Sequence, residues 1–160
     1  MSMNHSALAV SQELANDLLA GRVSFLTLLN DPGQASGDHG LNWLWSIVHF
    51  ALTGDVDPAE SVVDGLVYGS AELPDDTGYG PPGLLKPADV AELSAALAAI
   101  DGAALAGSMD LGKAREQGVY AVDACDESEL RTLVAEQIEA SKRFVADTAA
   151  AGQCVVTAIY

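Results

Sequence analysis

Polar and apolar residues repeat along this chain with the periods of helices and strands, and the elements follow from them. Asp126 with Glu129 three residues later forms a capping-box-like start. Behind it Leu130, Leu133, Val134, Ile138, Ser141, Phe144, Val145 and Thr148 recur at about 100° per residue, as one helix face does. Glu129, Glu136, Glu139, Arg143 and Asp147 fall on the other face, so the pattern predicts a long amphipathic helix that Gly152 ends. Residues 153–160 are β-branched in character and read as a closing strand. At the other end, residues 3–10 read as an edge strand. Ser11 reads as the N-cap of a helix carrying Leu14, Leu18 and Leu19, with Gly21 as its stop.

The middle of the chain is more broken. A short helix is expected over 23–29, a Pro-, Gly- and Asp-dominated loop over 31–40, and a buried helix over 41–53 that Gly54 ends. Leu66-Val67-Tyr68 reads as a short strand, and residues 73–83, with three prolines and three glycines, as a long turn-rich loop. Beyond Pro87 a helix presents Val90, Leu93, Leu97 and Ile100 on one face. Residues 103–117 read as one or two short helices broken near Gly107 and Gly112. These elements predict one α+β domain over residues 1–160. It is helix-rich, with a small, mostly antiparallel sheet that includes the N-terminal and C-terminal strands.

Composition narrows the classes. A chain of 160 residues buries a continuous core without disulfides or metal. Its 49% hydrophobic content and mean hydropathy of +0.20 argue against disorder. The net charge of −16 excludes nucleic acid as a direct partner, because phosphate binding needs clustered Lys and Arg. That charge is uneven: residues 1–85 hold eleven acids and one base, Arg22. From Asp55 to Asp76 there are seven acids and no base, a stretch that repels itself and responds to salt. Cys125 and Cys154 are too few for a disulfide framework and are expected to be reduced, as in the cytosol. No basic segment precedes an apolar stretch near the N-terminus, and the longest apolar segment, 41–52, is too short to span a bilayer. The expectation is a cytoplasmic protein with no membrane partner.

One stretch carries candidate chemistry. Asn42, Ser46, His49 and Thr53 are spaced by four, three and four, which places them within about 60° on a helix that is otherwise apolar. A polar stripe on a buried helix must meet water, a hydrogen-bond partner or a ligand. Asn42 and Ser46 are poor zinc partners, so no metal is expected there. A second feature is the rigid Gly/Pro loop, in which Asp76 and Tyr79 are the chemical members. A Gly-x-Ser-x-Gly elbow, a phosphate loop, a dinucleotide fingerprint, a His-Glu-x-x-His and a Cys-x-x-Cys are all absent, and no cofactor is implied.

The order of several short motifs resembles the YfbM-like proteins, a bacterial family of small α+β domains with no assigned activity. The matching pieces are Met-Ser-Met-Asn at 1–4, Trp45 onward to Gly54, and Gly78-Tyr79-Gly80-Pro81. Others are the helix start at Pro87, Val119-Tyr120, and the closing helix and strand. The chain departs from the family pattern at Asn42, where an acid is usual, and at Ser46, where a second His is usual. It departs again at Gly83 and Ala121, where Arg and Pro are common. Only His49 remains of what would be an Asp/His/His stripe.

Two functional expectations follow. The first is a non-catalytic domain that docks a basic protein through Asp55, Asp57, Glu60 and Asp64. The second is a small-molecule binder or hydrolase-like enzyme with a cleft between the Trp45–His49 helix and the Asp76–Tyr79 loop. In that cleft Trp45 stacks on the ligand, His49 is the base, Asp76 or Tyr79 orients it, and Tyr120 is a further candidate.

Overall fold

The computed structural model describes residues 2–160; Met1, the first residue of the Met-Ser-Met-Asn match, lies outside them. A five-stranded sheet, antiparallel at every pairing, runs in the order β2-β1-β5-β4-β3. Its strands are β1 (His5–Val10), β2 (Gly37–His39), β3 (Ala71–Glu72), β4 (Gly83–Leu85) and β5 (Cys154–Ile159). β1 and β5 pair over their whole length, from His5 opposite Ile159 to Val10 opposite Cys154. The strand at residues 3–10, expected at an edge, is therefore central: β2 and β5 flank it. β2 comes from within the 31–40 loop, whose polar composition hid it.

Alternation along the central strands divides the apolar core. Leu8, Val10, Leu84, Cys154, Val156 and Ala158 face α1 (Gln12–Leu19) and α2 (Phe25–Asn30). Ser11 accepts the Leu14 N–H as expected of an N-cap. Ala7, Leu85 and Val155 face the larger helical layer on the other side. That layer holds α3 (Trp45–Thr53), α4 (Gly65–Tyr68), α5 (Pro87–Ala98), α6 (Gly102–Ser108), α7 (Leu111–Glu116) and α8 (Glu127–Ala150). Asp126 caps α8 by accepting the Glu129 N–H, and Leu130, Val134, Ile138, Ser141, Val145 and Thr148 form its buried face.

Two expectations change here. Leu66-Val67-Tyr68 is a helical turn, because Ser61 and Asp64 form a capping box that winds the chain just before it. The helix expected over 41–53 begins as a 3-10 turn at Asn42–Leu44, with Asn42 at φ 49°, and becomes α-helical only at Trp45. Among the described residues no single helix is long and apolar enough to cross a membrane.

Candidate functional site

The conformation of Asn42 breaks the polar stripe of α3. It is exposed on the 3-10 turn, whereas Ser46 and His49 point into the protein. The Ser46 hydroxyl accepts the Tyr120 N–H at 3.2 Å, and the Thr53 hydroxyl donates to the His49 carbonyl at 2.9 Å. Trp45 stacks on Tyr120 with ring centroids 6.3 Å apart, and the Tyr120 hydroxyl accepts the Met3 N–H. Ser46 and Thr53 are thus met by protein groups.

His49 is 1% exposed, and its Nε2 lies 2.8 Å from Oδ1 of Asp64. A carboxylate only accepts, so Nε2 carries the shared hydrogen. Oδ2 of Asp64 accepts the N–H groups of Ala59 at 2.9 Å and Ser61 at 2.8 Å. The Tyr68 ring stands edge-on to His49 at 5.2 Å, and burial followed by the charges of Asp64 and Asp57 raises its phenol pKa. Two expectations are corrected by this geometry. Asp64, 6% exposed, is no docking charge, because His49 and two loop amides consume its carboxylate. His49 has no open face for a substrate, so the expected cleft with His49 as its base is not formed.

The other three docking candidates lie nearer the surface. Asp55 is half-buried and accepts the Asp57 N–H at 3.3 Å, while Asp57 and Glu60 are exposed. Glu60 takes the left-handed conformation at φ 55°. Beside it runs a groove of about 210 Å³ lined by Glu60, Val62, Leu85, Asp89 and Glu92 among others, with no Lys, Arg or His in its walls. Val62 is 47% exposed there. Sequence reasoning missed Asp89 and Glu92, which lie on α5 and reach this groove only through the fold.

The Gly/Pro loop is pinned rather than open. The Thr77 N–H donates to the Gly80 carbonyl at 3.2 Å, the Thr77 hydroxyl to the Ile159 carbonyl at 2.5 Å, and the Gly78 N–H to Asp76 at 2.8 Å. Asp76 therefore shapes a turn, and its neighbour Asp75 accepts the Phe25 N–H at the start of α2. Tyr79, 43% exposed, lines a cavity of about 160 Å³ with Tyr68, Glu72, Pro81, Thr157 and neighbouring residues. Trp45, His49, Asp76 and Tyr120 do not line it. At its edge the backbones nearly touch: a Cβ on Gly83 would lie 2.0 Å from the Tyr68 carbonyl oxygen. The five cleft candidates thus do not form one site: Trp45 and Tyr120 stack together, His49 is enclosed with Asp64, Asp76 shapes a turn, and Tyr79 lines this cavity.

Two further histidines are bonded, His5 buried and His39 half-buried. His5 accepts the Leu41 N–H at Nδ1, its Nε2 lies 2.6 Å from the Thr157 hydroxyl, and that hydroxyl reaches the Val67 carbonyl at 3.1 Å. Burial, helped by His39 and opposed by the Leu66 backbone, lowers its pKa to about 3. His39 lies 2.8 Å from the Ser141 hydroxyl, which itself donates to the Gln137 carbonyl, so His39 Nε2 is the donor. Burial lowers the His39 pKa, Asp38 opposes that shift, and Arg143 adds to it. Strand alternation was the available signal for His5, which shares a face with Ala7. Among the described residues no three His, Cys, Asp or Glu side chains converge as metal ligands would.

Comparison with known proteins bears out the resemblance. No curated protein matches the chain. Among solved structures, the crystal structure of YfbM, a protein of unknown function from Escherichia coli, superposes with a TM-score of 0.79 at 20% identity. The match covers 98% of this chain and 99% of that one, so the two share a fold. Residues 1–158 match the family model described as a domain of unknown function, DUF1877, and the chain belongs to that family.

Proposed function

We propose that this chain is a non-catalytic, cytoplasmic protein-binding domain whose outward acids, Asp55, Asp57 and Glu60, dock a basic partner protein. The observation that carries the reading is the groove in which Glu60, Asp89 and Glu92 surround an exposed Val62 without any cation in its walls. An apolar contact ringed by like charges is the arrangement of a protein interface tuned for charge complementarity. Three of the seven basic side chains are held at helix ends. Arg131 bonds the Ala106 and Met109 carbonyls at the end of α6, Lys142 bonds Ile100 after α5, and Lys113 bonds Gly54 after α3. They do not neutralise the groove.

The test is capture of partners from host lysate over a salt series, with two variants of equal charge. The pair Asp57→Lys and Glu60→Lys alters two of the proposed docking acids, of which Glu60 lines the groove, while Glu13→Lys and Glu136→Lys alters exposed acids elsewhere. The expected result is one basic partner, released at high salt, lost with the first pair and kept with the second. Equal loss with both pairs, or none with either, overturns the reading.

A further inference from the structure

The geometry points to a second, smaller site: we propose that the cavity between α4 and the Gly/Pro loop receives the cationic head of a lysine side chain from a partner polypeptide, held against Tyr68 and Tyr79 with Glu72 as counter-charge. The inference deepens the docking reading and rests on it for the partner's basic character. Three observations carry it. First, size: about 160 Å³ is room for roughly five waters. That is below the ~300 Å³ at which pockets for drug-sized ligands begin, and it suits the end of one side chain. Second, chemistry: two tyrosines and a carboxylate share the walls, and no Lys, Arg or His does. Aromatic faces attract ammonium groups, and a nearby carboxylate adds direct charge attraction. The charges of Asp64 and Asp57 reach Tyr68 as well, so the field at this wall is negative. Third, preorganisation: Thr77 ties the loop to the Ile159 carbonyl of β5, and the close approach of Gly83 to Tyr68 fixes the opposite wall. Little ordering remains to be done on binding.

Small probes separate this proposal from the docking reading, because they need no partner protein. Ring-proton NMR of Tyr68 and Tyr79 would follow titration with an acetyl-Gly-Lys-Gly-amide peptide, its norleucine counterpart, and choline. The expected result is saturable shifts at both rings with the lysine peptide and none with norleucine. Tyr79→Leu should weaken binding roughly 2- to 30-fold, the range of one cation–π contact, while Tyr79→Phe retains it. Glu72→Gln should weaken binding and flatten its salt dependence. A Glu60→Lys and Glu92→Lys pair should still shift both rings, since both residues line the docking groove and neither lines this cavity. Equal response to lysine and norleucine overturns the proposal. Tighter binding of choline than of the lysine peptide overturns the polypeptide source.

Discussion

Asp64 and Glu60 belong to one base-free stretch of sequence, yet the fold turns the first inward and the second outward. Inside, His49, Ala59 and Ser61 all converge on the Asp64 carboxylate, so its charge holds the 54–61 loop to α3. Outside, Glu60 has an exposed side chain, a left-handed backbone, and a place on the rim of an acidic groove. The difference teaches that charge density along a sequence mixes two jobs. An acid that organises a loop and an acid that faces a partner look alike until their neighbours in space are known.

The largest effect should come from breaking the inner half. Asp64→Ala leaves the His49 Nε2 hydrogen and two loop amides without their acceptor, with His49 still enclosed. Leaving a buried donor without its acceptor costs about 1–3 kcal/mol. Urea unfolding should show that loss. Hydrogen exchange should quicken at Ala59 and Ser61 first. Unchanged exchange at those amides would refute the role assigned to Asp64.

A second buried histidine sharpens the contrast. His5 meets a hydroxyl and a backbone amide rather than a carboxylate, and its pKa falls from 6.5 to about 3. Between those values the unfolded chain binds a proton that the folded chain does not. The stability is therefore full above pH 6.5 and is lost as pH falls toward 3, by up to about 1.4 kcal/mol per unit. Urea melts between pH 7 and 4 should show this slope, reduced by about that amount in His5→Leu. An unreduced slope would assign the acid sensitivity to other groups, His39 among them.

The fold was most legible where local chemistry decides it. The Asp126 cap, the apolar face of α8 and the Ser11 cap follow from spacing alone, and the closing strand from β-branched residues. It was least legible where a few residues take their conformation from distant ones. Leu66-Val67-Tyr68 is too short to show a period, and the capping box just before it, not its own composition, makes it helical. β2 is three residues, Gly37–His39, recruited by the edge of β1. The stripe on α3 was correctly read as needing partners. Their identity was hidden, since Asp64 lies fifteen residues beyond His49 and Tyr120 seventy-four beyond Ser46. The acidic stretch was visible as charge, but sorting its members required burial, and Asp89 and Glu92 joined the groove from another helix.

The smallest expected effect tests the outer half. Glu60 holds φ at 55°, a region that costs an L-residue about 1–2 kcal/mol and glycine almost nothing. Glycine gives back roughly 0.5–1 kcal/mol through the greater freedom of its unfolded chain. Glu60→Gly should therefore leave stability unchanged or raise it by up to about 1.5 kcal/mol, read as the urea midpoint. If the groove binds a basic partner, the same substitution should weaken capture from lysate while the protein stays as stable as before. A side chain kept where glycine would sit more comfortably is then retained for what it touches outside the fold. Clear destabilisation by Glu60→Gly would instead make Glu60 a structural residue like Asp64, and the contrast between them would disappear.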